Sequence, residues 1–337
     1  MSRAISLVEN GAPGFERLLA LVHERVGRAH RVGITGPPGV GKSTLVQGLV
    51  RLWRGEKGRE RAREGEKGEK GEKGRTVAVV AVDPTSARTG GALLGDRIRM
   101  EGVALDQGVY IRSMATRGAE GGLALATGEV CDLLDAAGYE RIVVETVGVG
   151  QAELDVVEAA DTTVLVLVPE SGDGIQALKS GLMEAADIFV VNKADRPGAD
   201  RFRADLEVAL HIRRGTAYSG WKRTVREQAT WEPPVLDTVA TQAQGVEVLC
   251  DVIERHRTWL ESTGELEQRR AARRVSRARE VVARALSRQA WTLAGAERLL
   301  ATRRDGLAAG RVTSYEVAEE IAGRLGPIAP GQSSSSD

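Results

Sequence analysis

The sequence predicts an α/β fold: a mostly parallel, doubly wound sheet with an N-terminal helical lead-in and a C-terminal helical arm. Three observations predict it. Several short runs are continuously apolar and β-branched, as in strands buried on both faces; Val77-Ala78-Val79-Val80-Ala81-Val82 and Val164-Leu165-Val166-Leu167-Val168 are two. Segments of helical period alternate with those runs. Glycine-rich loops and acids stand at the strand ends, which form the ligand edge of such a sheet.

The chain has 337 residues, enough for one sizeable domain and an appendage. We read 1–30 as a helical extension, 31–260 as the main α/β domain, 261–326 as a helical arm and 327–337 as a disordered tail. Lys+Arg and Asp+Glu both total 47, so no basic excess points to nucleic acid as the main partner. No apolar run approaches the ~18–20 residues of a membrane span. The N-terminus lacks the apolar stretch of a signal peptide, and a cytoplasmic protein is expected. Cys131 and Cys250 read as small buried hydrophobes in a reducing compartment. The histidines, His23, His30, His211 and His256, are scattered and form no metal-binding cluster with them.

In chain order, Phe15, Leu18, Leu19, Val22 and Val26 fall at helical spacing and predict a helix packed on the main sheet. A strand over 31–35 leads into Gly36-Pro37-Pro38-Gly39-Val40-Gly41-Lys42-Ser43, and a helix runs on to about Trp53. The eight residues match G-x-x-x-x-G-K-[ST], the P-loop, in its strand–loop–helix context. Successive backbone N–H groups there point into one concavity beside a helix N-terminus, a ready anion site. Lys42 is expected to reach the β- and γ-phosphates and the Ser43 hydroxyl to ligate Mg²⁺. Residues 54–75 repeat Gly, Glu and Lys and can bury no core, so they read as a surface insertion.

The strand over 76–82 ends in Asp83, placed at the ligand edge to serve Mg²⁺ through a water or to position the attacking water. The glycine-jointed loop 84–100 is suited to ordering on a γ-phosphate. A strand over 109–113, a second glycine-rich loop over 116–122 and a helix to about Ala137 follow. The strand over 141–148 carries Glu145 and, three residues on, Gly148. A strand-end acid serves the Mg²⁺ shell, and the glycine N–H can bond the γ-phosphate. Gln151 is placed to orient water.

A strand over 161–168 and a helix over 176–186 precede the strand 188–191, which ends in Asn192-Lys193-Ala194-Asp195. N-K-x-D selects guanine: the Asp195 carboxylate accepts N1–H and N2–H₂, donors that adenine lacks there. Asn192 fixes the loop and approaches the purine edge, and the Lys193 stem packs over the ring. Helices over 199–215 and 245–260 flank a strand over 235–239. From Glu265 a long Arg-rich helix is expected, with Val275, Val282, Leu286, Leu293 and Leu300 on one face, as a packing or dimerisation arm. A last helix spans 315–325.

Taken together, these segments resemble the MeaB/ArgK family of SIMIBI-class P-loop GTPases, the GTPases associated with cobalamin-dependent mutases. The carriers are Val32 through Ser43-Thr44, Val82-Asp83-Pro84 through Gly90-Gly91 to Gly95-Asp96, Arg117-Gly118, Glu145 through Gln151, Gly172-Asp173, Gln176, Lys179, Gly181 and 192–195. The resemblance implies GTP and GDP as ligands, with Thr44 in the phosphate loop. It places Asp83, Asp96 and Glu145 on the Mg²⁺ and γ-phosphate side. It makes 84–100 and 146–158 switches I and II, and 168–179 a third switch that signals to the partner. Ala240 and Thr241 stand where the family's last base-contact loop has Ser-Ala. The implied partner is an adenosylcobalamin-dependent acyl-CoA mutase, the implied assembly a homodimer through the C-terminal helices. Two other activities belong to the same class: a kinase acting on a periplasmic transport protein, which Asp195 speaks against, and a nickel metallochaperone, whose His/Cys ligands this chain lacks.

Overall fold

The structure, a computed structural model, describes residues 1–55, 74–84, 100–116, 122–146, 152–169, 181–218, 230–292 and 294–325. The chain forms two compact units, Met1–Arg273 and Arg274–Asp337. In the first, seven strands make one sheet: β1 (His30–Thr35), β2 (Val77–Pro84), β3 (Val109–Thr116), β4 (Arg141–Thr146), β5 (Thr162–Leu167), β6 (Ile188–Asn192) and β7 (Val235–Thr238). Their order is β3-β2-β4-β1-β5-β6-β7, and every pairing is parallel. The chain builds outward from β1 to one side through β2, β3 and β4. It then crosses β1 to build the other side. The loop after β1 therefore lies at the topological switch point, where such sheets bind ligands.

Side chains alternate across the sheet because strand residues point to opposite faces. Val32, Ile34, Val143, Val164 and Val190 pack against Leu45 and Leu49 of α3 (Lys42–Trp53) and against Val252 and Ile253 of α9 (Val246–Thr263). Ala78, Val80, Ile142 and Val144 face Val130 and Leu134 of α5 (Gly122–Ala136). Leu165, Leu167, Phe189 and Val191 meet Leu182 of α7 (Leu182–Ala185) and Leu206 of α8 (Ala199–Tyr218). A short helix absent from the sequence reading, α4 (Glu101–Ala104), precedes β3. The helix expected over 176–186 is described only from 181; residues 85–99, within the stretch read from sequence as a loop over 84–100, and residues 147–151 lie outside the described residues.

The N-terminal segment is two helices, α1 (Ser2–Glu9) and α2 (Phe15–Val22), where the spacing had suggested one. Gly11 and Gly14, both at positive φ, turn the chain between them. Ile5, Val8 and Phe15 pack with α5 as well as with the sheet residues beneath it. Arg54, just past α3, closes the stem of the insertion: it donates to Asp106 through two nitrogens at 2.8 and 2.9 Å and to the Gly74 carbonyl at 2.7 Å. The Arg75 N–H donates to the Trp53 carbonyl at 2.9 Å. Cys131 is buried and Cys250 half-buried; both are free thiols, pushed up to about 11 by burial.

The Arg-rich segment also departs from expectation. It breaks into α10 (Glu265–Thr292) and α11 (Ala296–Ala308) at Gly295, which sits at φ 64°. Leu300 therefore belongs to a different helix from Val275, Val282 and Leu286, which are 54%, 57% and 47% exposed. In the second unit α12 (Ser314–Arg324) opens on a capping box: Thr313 accepts from the Glu316 N–H, and Glu316 accepts from the Thr313 N–H at 2.7 Å.

At the edge of the sheet opposite the ligand side, two buried acids precede β5 and β6. Asp161 accepts from the Arg31 N–H at 3.1 Å, from Arg270 at 2.8 Å and from Arg273 at 3.1 Å. Burial alone would raise its carboxyl, but the Arg270 hydrogen bond and the Arg273 and Arg270 charges hold it well below the usual carboxylate range. Asp187 accepts from the Thr163 N–H at 2.8 Å and from Arg269 at 3.0 Å; there burial outweighs the arginine, and the carboxyl is raised. Beside them the Thr162 hydroxyl lies 2.8 Å from His30 Nε2 and 2.8 Å from His256 Nδ1. With a single hydrogen it can donate to only one imidazole and accepts from the other.

Burial holds both histidines near a pKa of about 3, against 6.5 in the unfolded chain. The unfolded state therefore binds more protons, and stability falls as pH drops from 6.5 toward 3. Urea unfolding should show this loss beginning above pH 5, before carboxylates titrate at ~4. Thr162→Val, which strips a partner from each ring, should cost about 1–3 kcal/mol at neutral pH.

Candidate functional site: the P-loop edge

At the end of β1 the backbone of Gly36 turns to φ 137° against β5. A β-carbon there would stand 2.1 Å from the Val166 carbonyl oxygen, so no other residue fits. Gly41 has φ 94°, and a β-carbon would stand 2.4 Å from Asn192 Nδ2. Gly39, between the two prolines and Val40, lies at positive φ on the exposed rim. Lys42 opens α3, with Ser43 and Thr44 in the first turn. The Lys42 ammonium is buried and donates to the carbonyls of Gly36 at 2.7 Å and Pro37 at 2.8 Å.

β4 lies directly beside β1, with Glu145 opposite Ile34. That adjacency brings the buried Glu145 carboxylate to the P-loop helix, where it accepts from the Ser43 hydroxyl at 2.6 Å. Hydroxyl and carboxylate oxygens are hard donors, the kind Mg²⁺ takes. Asp83 ends β2 opposite Ala115 of β3; the position of its side chain, and Asp96, Gly148 and Gln151 entirely, lie outside the described residues. Among the described residues no group of three or more His, Cys, Asp or Glu side chains gathers as a metal site.

On the other side of β1 the end of β6 reaches the same edge. Asn192, 2% exposed, donates through Nδ2 to the Val40 carbonyl at 2.7 Å. Its Oδ1 accepts from the Thr238 hydroxyl at 3.0 Å and from the Ala240 N–H at 3.1 Å. Lys193 takes a left-handed φ of 58° and donates to the Gly39 carbonyl at 2.9 Å, so its stem spans from the β6 turn to the P-loop. The turn beyond is held by the Ala194 N–H on the Thr238 carbonyl at 3.1 Å, leaving Asp195 exposed. Ala240 and Thr241 form a 3-10 turn next to it. The fold thus brings 36–44, Glu145, 192–195 and 240–241 to one edge.

Two residues here carry no motif. Thr238 is a buried hydroxyl at a strand end, and nothing in Val-Leu-Asp-Thr marks it. Glu153 is half-buried on α6 (Ala152–Ala159). Burial raises its carboxyl, and the Lys42 charge pulls it back down. Glu153 and Val156 lie on one face of that helix.

A phosphate-cradling P-loop beside an Asn-Lys-x-Asp turn defines a guanine-nucleotide-binding P-loop hydrolase. The family profile described as "Methylmalonyl Co-A mutase-associated GTPase MeaB" matches residues 1–294, and the chain belongs to that family. It is similar to a Pyrococcus horikoshii protein named as a GTPase, 46% identical over 283 residues, which span 84% of this chain and 81% of that one. Against the Escherichia coli GTPase ArgK it is 34% identical over 282 residues, 82% of this chain and 77% of the other. A solved structure named LAO/AO transport system kinase superposes with a TM-score of 0.60 at 25% identity, covering 96% of this chain and 92% of that one. The protein is a GTPase, mutase-associated at the level of its family.

Gly36→Ala should abolish GTP binding in a fluorescent-nucleotide titration and destabilise the fold by ~3 kcal/mol, because a forced φ and a backbone clash coincide at one residue.

Proposed function

We propose that this GTPase is a G-protein chaperone of an adenosylcobalamin-dependent acyl-CoA mutase of the methylmalonyl-CoA mutase type, gating cofactor loading and protecting the mutase. The observation that carries the reading is the family match across 1–294, whose description names that mutase. A mouse relative named "Methylmalonic aciduria type A homolog, mitochondrial" supports it, at 34% identity over 261 residues, 76% of this chain and 57% of that one. The protein acts in the cytoplasm; among the described residues no helix is long and apolar enough to cross a membrane.

In this reading Lys42 holds the β- and γ-phosphates, and the N–H groups of 36–44 cradle the rest. Ser43 and Glu145, with Asp83 and Asp96, hold Mg²⁺, which neutralises charge on the transferred phosphoryl group. The Gly148 N–H bonds the γ-phosphate and Gln151 orients water. Asp195 pairs with guanine, Lys193 covers the ring, and Ala240 and Thr241 line the base. The loops 84–100, 146–158 and 168–179 leave the same sheet edge and report the γ-phosphate to the mutase. Addition of the mutase should stimulate GTP hydrolysis; no stimulation by any mutase of the same genome would refute the assignment. Lys42→Ala should abolish hydrolysis. Asp195→Asn should weaken GTP binding by about 100-fold through two lost charge-assisted hydrogen bonds, while ATP binding stays unchanged.

The name of the solved neighbour favours a second reading, phosphoryl transfer to a periplasmic transport protein. It predicts labelled γ-phosphate on protein; label released only as inorganic phosphate excludes it.

The exposed face of α10 supports a homodimer. Val275, Val282 and Leu286 recur at spacings of seven and four, as along a helix–helix seam. Val282→Glu with Leu286→Glu should convert a dimer to a monomer in light scattering.

A further inference from the structure

We propose that Pro37 and Pro38 are positioning residues that act through Lys42: each blocks the peptide flip that would turn a carbonyl away from the ammonium, and together they fix the direction from which Lys42 meets the phosphates. The inference rests on Lys42 as the phosphate-binding lysine of the proposed reading.

The P-loop pattern leaves the positions between Gly36 and Gly41 open, and this chain places prolines at 37 and 38. The second half of the loop is held from the end of β6: Asn192 donates to the Val40 carbonyl at 2.7 Å and Lys193 to the Gly39 carbonyl at 2.9 Å. In the first half the carbonyls of Gly36 and Pro37 accept from the Lys42 ammonium at 2.7 and 2.8 Å. Each of those oxygens stands immediately before a proline. The orientation of a peptide plane is set by ψ of the residue that carries the carbonyl and φ of the residue after it. Proline holds its own φ at about −65° and keeps the residue before it out of the α region. The torsions restricted here, ψ of Gly36, φ and ψ of Pro37 and φ of Pro38, are the ones that aim the two oxygens. A flip of either plane would swing φ of the following proline through values its ring forbids. Pro38 is exposed on the rim, so it contributes through the backbone and not through packing.

A lysine ammonium is a compact charge on a flexible stem. Two carbonyls that cannot turn away hold it in one place, and a group already in its bound geometry spares the nucleotide the cost of ordering it. The prolines have a second effect of opposite sign. They remove two backbone N–H groups from a loop whose N–H groups cradle phosphate. The first effect dominates, because the lysine brings a full charge to the phosphates and a backbone N–H only a dipole. The opposite signs make the two separable by experiment.

Pro37→Ala combined with Pro38→Ala frees both planes and restores both N–H groups. Titration with a fluorescent GTP analogue should show binding weakened about tenfold, which corresponds to ~1.4 kcal/mol. Pro37→Gly with Pro38→Gly should weaken it further, because glycine opens more of the torsion space. Pro38→Ala alone, at the exposed rim, should weaken GTP about threefold, and it carries the test if the pair does not fold. In a Lys42→Ala background, titrated to millimolar nucleotide, the alanine pair should change the residual affinity by less than about twofold, because the carbonyls then have no ammonium to hold. Binding unchanged or tightened by the alanine pair with Lys42 in place, or an equal loss in both backgrounds, would overturn the proposal. Lys42→Ala alone separates the two claims: if it leaves GTP binding intact, the assignment of Lys42 itself fails, whatever the proline variants do.

Discussion

The Asn192 amide donates to the Val40 carbonyl and accepts from Thr238 and Ala240, so one buried side chain joins the P-loop, the end of β6 and the loop after β7. Each such bond contributes about 1 kcal/mol net, but leaving any partner unsatisfied in the core costs about 1–3 kcal/mol. The three are therefore held together as a set. The contact also needs the absent side chain of Gly41, since a β-carbon would fall 2.4 Å from the amide nitrogen. The P-loop and the Asn-Lys-x-Asp turn are thus tied to each other through a single side chain. The Lys193 bond to Gly39 adds a second strut between the same two segments.

The two edges of the sheet are held by different physics. The ligand edge of the described residues relies on glycine geometry and on short hydrogen bonds to backbone carbonyls. The opposite edge relies on buried ions. Asp161 and Asp187 stand at the entrances of β5 and β6, and Arg269, Arg270 and Arg273 near the start of α10 meet them. Removing one member of such a group leaves an uncompensated buried charge, at a cost of about 3–5 kcal/mol. Exposed pairs such as Arg257–Glu261 contribute less than about 1 kcal/mol. The entrances of β5 and β6 are accordingly tied to the start of α10.

Much of this is legible in the sequence. Short, continuous β-branched runs favour doubly buried strands, and a P-loop requires a strand before it and a helix after it, so β1, α3, β2 and β5 follow from residue type. Asn192 was legible as a fixer of the loop, because the motif carries its geometry. What was hidden had no periodic or motif signature. Thr238 acts through a neighbour distant in sequence, Asn192. The Asp161–Arg270 pairing joins residues more than a hundred apart. The break before Ala296 hid because a lone glycine in a helical pattern is usually tolerated, whereas here Gly295, at positive φ, is the N-cap of a new helix. Of the two N-terminal helices, α2 carries the period that was read, while α1, before the turn at Gly11 and Gly14, was not separated from it.

The stem closed by Arg54 has a practical consequence. Trp53 and Arg75 are stitched together by a backbone hydrogen bond, and Arg54 fastens Gly74 and Asp106 across the same point. Strand β2 therefore begins from a fixed station that does not depend on how many residues lie between 55 and 74. Chain length there is decoupled from the nucleotide edge at the other end of the strands.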